Sequence, residues 1–250
     1  MMTVIDEVAG WIKESKKITG FTGAGISTGS GIPDFRSPDG VWARNRTVMF
    51  DDFLANQADR VEYWRQKLES WPPIRDARPN AGHRFFCGLE EAGRLLGVIT
   101  QNIDGLHEKS GLNPDRIVRL HGWMNEAVCL SCGQALDMEE ACRRVKEESP
   151  APSCGFCGGL LKPATISFGQ QLNQADLERA ASLAVKSDLF VVVGSSLVVQ
   201  PAAGFPMLAV KNGARLVIIN QTATPLDKQA DAVIHDDSSQ VLQAIGDLIF

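Results

Sequence analysis

Apolar residues at Val4, Ile5, Val8 and Ile12 fall at helical spacing and predict an amphipathic helix at the start of the chain. Residues 18–22 follow as a short strand that runs directly into glycines 23, 25, 29 and 31. Residues 43–80 lack strand alternation and read as helices broken by Pro72-Pro73 and by Pro79. Phe85, Phe86, Leu89, Leu95 and Leu96 mark a further helix that ends near residues 93–97, and the strand Val98-Ile99-Thr100 comes next. A second short strand, 117–120, stops at His121. Residues 123–168 carry cysteines and interrupt the rhythm. Beyond them a helix over 177–185 leads to the wholly apolar strand Leu189-Phe190-Val191-Val192-Val193, the pattern of a strand buried on both faces. A helix over 201–211, a strand over 216–219, a brief strand near Val233 and an amphipathic helix with Val241, Leu242, Ile245, Leu248 and Ile249 complete the chain.

Strands alternating with helices predict an α/β fold with a doubly wound parallel sheet. In such sheets ligands lie at the carboxyl ends of the strands. Polar or glycine-rich groups stand at five of these ends, namely Gly23, Gln101, His121, Gly194 and Asn220. Gly23 and Gly25 can be turn residues, or can let backbone N–H groups approach phosphate oxygens. The spacing from Gly23 is G-x-G-x-x-x-G, one residue longer than the dehydrogenase fingerprint, and Pro33 argues against a long helix after it. Asp34, Phe35 and Arg36 are therefore expected on a loop beside the glycines.

At 250 residues the chain can bury a large core. A net charge of −5 argues against a dedicated nucleic-acid surface. No apolar run is long enough for a membrane span, and the first residues mix charges with apolar positions unlike a signal peptide, so a cytoplasmic location is expected. Six cysteines in a reducing compartment then suggest metal before disulfides. Cys129-x2-Cys132 and Cys154-x2-Cys157, with 21 residues between the pairs, predict one structural Zn²⁺ in a four-thiolate ribbon. Cys87 and Cys142 lack partner spacing.

His83 and His107 read as capping or surface residues, and His235 has no partner pattern around it. His121 ends a strand at the expected crevice, where a neutral imidazole could take a proton from a sugar hydroxyl. Gln101, Asn102, Ile103 and Asp104 offer amides and a carboxylate at one strand end. They fit a turn cap or a ring-binding cluster equally well.

The motifs GAGISTGSGIPDFR, TQNIDGLH, the His121-Gly122 pair, the two cysteine knuckles, GSSLVVQPAA and NQTATPLD together resemble the sirtuin family of NAD-dependent protein deacylases, from about residue 18 to the C-terminus. The resemblance implies a large Rossmann-like lobe (about 1–36, 81–122 and 169–250). It also implies a small lobe made of a helical insertion (about 37–80) and the zinc ribbon (about 123–168). NAD and an acyl-lysine peptide would enter between them. Gly23, Ala24, Gly25 and Ser27 would line the phosphates and adenosine half, and Asp34, Phe35 and Arg36 the nicotinamide ribose. Gln101, Asn102, Ile103 and Asp104 would surround nicotinamide, Gly194, Ser195 and Ser196 would approach phosphate and ribose, and Asn220 would reach the adenosine ribose. His121, with Asn102 and Asp104, would carry catalysis, acting as base on the ribose hydroxyls once the acyl oxygen has displaced nicotinamide. The products implied are nicotinamide and an O-acyl-ADP-ribose. Ile166, Phe168 and Gly169 would present an extended backbone edge to the peptide.

Two departures stand out. Phe168-Gly169-Gln170 carries an amide where the family often has Glu. Desuccinylating relatives place an arginine three residues after a tyrosine, whereas Tyr63 is followed by Gln66, so neutral acyl groups, acetyl first, are expected. Mono-ADP-ribosyl transfer, or a preference for longer or acidic acyl groups, is the alternative reading of the same pocket. A non-catalytic zinc-ribbon module and an NAD-linked dehydrogenase are the readings from other classes.

Overall fold

The computed structural model describes residues 3–34, 40 and 45–250. Helix α1 (Val4–Glu14) starts at a capping box in which the Thr3 hydroxyl accepts from Asp6 N and the Asp6 carboxylate accepts from Thr3 N. Strands β1 (Ile18–Thr22), β2 (Leu95–Thr100) and β3 (Ile117–Arg119) run outward on one side of the main sheet. After an excursion through a second sheet, β7 (Leu189–Val193), β8 (Arg215–Ile219) and β9 (Ala232–Ile234) run outward on the other. The order is β3-β2-β1-β7-β8-β9, and every pair is parallel. The winding therefore reverses between β1 and β7, and the chain leaves both strands at the same end of the sheet.

The alternation of side chains along β7 builds both faces of the core. Leu189, Val191 and Val193 pack with α1, with α4 (Ala81–Glu91) and with α9 (Ser238–Ile249). Phe190 and Val192 face α7 (Gln174–Lys186) and α8 (Phe205–Lys211). A residue buried on either side has no polar position to spare, which is why β7 reads as an unbroken apolar run.

The second sheet is antiparallel, with β4 (Gly122–Cys129) between β5 (Ala135–Asp137) and β6 (Leu161–Thr165). It shares a core with α6 (Met138–Glu147) and with the long helix α3 (Gln57–Asp76), through Trp64, Trp71 and Ile74. Helix α2 (Phe50–Ala55) lies against α3, with the Phe53 ring edge-on to Tyr63 at 5.1 Å.

Three local expectations change. Pro72 and Pro73 do not break α3, which continues to Asp76. Both prolines are exposed, and Trp71 and Ile74 on either side are anchored in the core, so the packing outweighs the two missing donors. Leu95 and Leu96 belong to β2 and not to the preceding helix. That helix ends at Glu91, and Gly93 turns the chain at φ +68°. His83 and His107 are buried rather than superficial, although His83 does cap its helix by accepting from Asn80 N, and their rings meet edge-on at 5.0 Å.

Candidate active site

A cavity of about 690 Å³ opens at the carboxyl ends of β1, β2 and β7, where the winding reverses, and extends to α3 and β6. Gly23, Ala24, Gln101, Asn102, His121 and Ser195 line its sheet side. The glycines owe their identity chiefly to strand-end packing. A Cβ at Gly23 would sit 2.7 Å from Gly194 O, and one at Gly25 would sit 2.7 Å from Gly194 Cα. Their N–H groups are committed too, Gly23 donating to Val193 O at 3.0 Å and Gly25 to Gly194 O at 2.9 Å. They do not offer the free donors that the sequence suggested, and of the two only Gly23 touches the cavity.

Behind this loop lies a buried polar cluster. Ser27 donates to Asp104 Oδ2 at 2.7 Å, and Asn102 Nδ2 donates to Gly23 O at 3.0 Å and to Ser27 Oγ at 3.2 Å. Asn102 faces the cavity; Ser27 and Asp104 stand behind it. Asp104 also accepts from Leu106 N at 2.9 Å, which caps the short helix α5 (Leu106–Lys109). Burial raises the Asp104 carboxyl above its ordinary range, against the two hydrogen bonds that hold it down. Asp104 thus acts on the cavity wall through Ser27. Burial also keeps the neighbouring histidines neutral, taking His83 down to about 2 and His107 to about 3. His107 Nε2 meets Thr22 Oγ1 at 3.0 Å.

His121 follows β3 and precedes β4, so it joins the two sheets. Its Nδ1 lies 3.0 Å from Gln101 O. A carbonyl can only accept, so Nδ1 carries the proton and Nε2 keeps its lone pair. Burial lowers the His121 pKa, and the bond to Gln101 opposes this in part. Gly122 holds φ at +71°, and a Cβ there would come within 2.0 Å of Ala164 O, so only glycine lets β4 pair with β6 directly after the histidine.

The other expected residues divide. Gln101 Nε2 donates to Ser195 Oγ at 2.8 Å and ties β2 to β7, while Ile103 and Ser196 line the cavity. Gly194 is outside the cavity lining, packed on Gly25. Asn220 is outside the cavity lining; its Nδ2 donates to Thr222 O at 2.7 Å. Asp34 is described but does not line the cavity, and Phe35 and Arg36 lie outside the described residues. Ile166, Phe168 and Gly169 do line it, yet not as an open strand edge. Ile166 N donates to His121 O, Phe168 O accepts from Phe50 N, and residues 167–170 close a turn through Gln170 N and Ser167 O. Gln170 Oε1 accepts from Ser167 N at 3.1 Å, a bond that the amide makes as an uncharged carboxylate substitute. His235, read as partnerless, has its Nε2 3.1 Å from Asp227 Oδ2, because the turn after Asn220 folds Asp227 onto β9.

Cys129, Cys132, Cys154 and Cys157 come together at one end of the second sheet, all four sulfurs within 4.8 Å of one another. Zn²⁺ held tetrahedrally at about 2.3 Å from each sulfur separates the sulfurs by about 3.8 Å. Cys129 and Cys157 are 3.5 Å apart and Cys132 and Cys154 3.8 Å, so the set fits a structural zinc. No cysteine of the chain is in a disulfide.

The family model for the Sir2 family matches residues 23–201, which spans the glycine loop, His121, both knuckles and Ser195. This chain belongs to the Sir2 family. It is 47% identical over 238 residues to NAD-dependent protein deacetylase 1 of Bradyrhizobium diazoefficiens, covering 95% of this chain and 93% of that one. The NAD-dependent protein deacetylase of Rhodopseudomonas palustris is 45% identical, with 95% and 94% covered. A solved Sir2 structure with a p53 peptide and NAD+ superposes with a TM-score of 0.89 at 35% identity, over 97% of each chain. The Sir2 fold thus accounts for the six-stranded parallel sheet and for the cysteine ribbon beside it.

The sequence missed two parts of the site. The buried His83–His107 pair sits on helices whose capping residues mask the depth of the rings, and only the contact of α4 with α5 brings them together. On the α3 wall of the cavity Tyr63 and Gln66 were foreseen, whereas Lys67 and the approach of all three to Thr165 and Ser167 rest on a contact between segments about a hundred residues apart.

Proposed function

We propose that this Sir2-family protein removes acyl groups from protein lysine side chains at the expense of NAD, yielding nicotinamide and an O-acyl-ADP-ribose. The observation that carries the reading is His121: a neutral imidazole with its Nε2 lone pair free, in the cavity that reaches both the switch of the main sheet and the second sheet. NAD supplies the electrophilic ribose carbon and a stable leaving group. The chain supplies the rest. His121 Nε2 takes the proton of a ribose hydroxyl, and the Gln101 carbonyl steadies the imidazolium that results. Asn102, fixed by Gly23 O and Ser27, holds its amide at the cavity wall for the nicotinamide end. Gln101 and Ser195 form one hydrogen-bonded unit for the ribose and phosphate side. Ile166, Phe168 and Gly169 line the face to which the acyl-lysine peptide comes. A zinc ion held by Cys129, Cys132, Cys154 and Cys157 would stay out of the chemistry and would fix the ribbon whose strands β4 and β6 begin and end beside His121.

The neighbours in solved form include a Sir2 protein with a propionylated peptide, which favours an acyl-lysine protein as partner here. None of the described helices is long and apolar enough to cross a membrane, and a cytoplasmic location fits this reading. The test is His121→Ala, assayed with acyl-lysine peptide and NAD by peptide mass and nicotinamide release. A loss of about 10² to 10⁴ in turnover with an unchanged melting curve is expected. Near-normal turnover by the variant would refute the assignment.

A further inference from the structure

His107 is a buried ring with no part in the proton transfer at His121. It sits on α5, 2% exposed, with the rings of His83 and Phe86 edge-on against it at 5.0 and 5.7 Å. Burial keeps it neutral, so one nitrogen carries a hydrogen and the other a lone pair. The partners decide which. Thr22 Oγ1 donates its only proton to Thr100 Oγ1 at 2.9 Å, and therefore meets His107 Nε2, 3.0 Å away, as an acceptor. Nε2 is the protonated nitrogen. Nδ1 is enclosed with no hydrogen-bond partner among the described residues.

An orphaned ring nitrogen costs free energy of the same order as the single bond that Nε2 gains. A side chain needed only to fill this space would be apolar, so the bond to Thr22 accounts for the histidine. That bond starts a chain. Thr22 ends β1, Thr100 ends β2 beside it, and the two stand in register. Thr100 Oγ1 in turn accepts from Asn102 N at 3.0 Å, closing a turn over residues 100–102. Asn102 is thus held from two directions by α5. Asp104, which caps α5 through Leu106 N, reaches the Asn102 amide by way of Ser27. His107, on α5 itself, reaches the Asn102 backbone by way of the two threonines. Both hydrogens of Asn102 Nδ2 are spent on Gly23 O and Ser27 Oγ, so Oδ1 is what the amide has left for a ligand. Where that oxygen stands depends on side chain and backbone together.

We propose that His107 is a positioning residue: through Thr22 and Thr100 it fixes the backbone of Asn102, and so the place of the Asn102 amide at the nicotinamide end of the cavity. The inference rests on the deacylase reading above and adds to it a residue that touches neither NAD nor peptide. His107, Thr22 and Thr100 all stand outside the cavity lining, so they act on a ligand through the residues they hold.

The test uses an acetyl-lysine peptide, NAD and added nicotinamide, with the wild type, His107→Leu, His107→Gln, Thr100→Val and the double variant of His107→Leu with Thr100→Val. The measured quantities are kcat, the KM for peptide, the inhibition constant of nicotinamide and the melting temperature. His107→Leu is expected to lower kcat and raise the nicotinamide inhibition constant by about three- to tenfold each, the worth of one neutral hydrogen bond, with the peptide KM unchanged. His107→Gln, which keeps a donor for Thr22, should restore both in large part. Because the two residues lie on one chain, the double variant should lose no more than Thr100→Val alone. If His107→Leu does not fold, Thr22→Val removes the middle link at nearly the same shape and carries the same expectations. Turnover by His107→Leu with nicotinamide inhibition unchanged would overturn this proposal and leave the deacylase reading standing. So would losses that add in the double variant, or a peptide KM that worsens in step with the melting temperature, since His107 would then only support the fold. Wild-type protein that turns over no acyl peptide would overturn the deacylase reading, and this proposal with it.

Discussion

Acidification should destabilise this protein through histidines that have nothing to do with its base. His107 is fully buried, and burial takes its pKa from 6.5 to about 3. The unfolded chain carries it at the ordinary value, so between these limits the unfolded state binds a proton that the folded state refuses. Stability therefore rises with pH across that window and falls as pH drops below 6.5. At pH 5 the deficit is 1.5 pH units, or about 2 kcal/mol at about 1.36 kcal/mol per unit. His83, brought to about 2, behaves in the same direction and adds a similar amount. Asp104 opposes them, because a raised carboxyl pKa contributes stability at low pH that is lost as pH rises through it. A difference measurement removes such terms. His107→Gln keeps a polar group near Thr22 Oγ1 but does not titrate. Urea unfolding of both proteins at pH 7.5 and at pH 5 should show the gap between them shifting by about 2 kcal/mol in favour of the variant at the lower pH. Parallel stability curves would refute the neutral buried imidazole.

Zinc content should be one ion per chain by elemental analysis, and Cys154→Ser should lose the ion along with the folding of the ribbon; fully active protein with no zinc would contradict this. Gly122→Ala should lower the melting temperature and displace His121. The left-handed φ of +71° costs about 1–2 kcal/mol for alanine, and the Cβ would collide with Ala164 O as well. A variant with native stability and turnover would show that β4 and β6 can separate there without cost. The acid limb of kcat/KM should fall below pH 6.5, because burial disfavours the imidazolium of His121 and the proton-accepting form persists to lower pH. A limb at or above pH 7 would assign the base elsewhere.

The sequence by itself determined most elements of the main sheet and their order, because the causes are local. Burial on both faces makes β7 a five-residue apolar run, and the helical spacing of apolar residues marks α1 and α9. The cysteine spacing likewise determined the zinc set, since each knuckle is one turn of chain. Tertiary structure decided what depends on contacts between distant segments. It showed that Gly23 and Gly25 are glycine because Gly194 packs on them, which no spacing within the loop can reveal. It carried α3 through two prolines, since Trp71 and Ile74 are anchored by the second sheet. It turned His83 and His107 inward, and it set Asp104 behind Ser27 rather than in the cavity. Above all it joined Tyr63 and Lys67 to Thr165 and Ser167. An electrostatic environment is a sum over everything nearby, and along the sequence these four residues are not near one another.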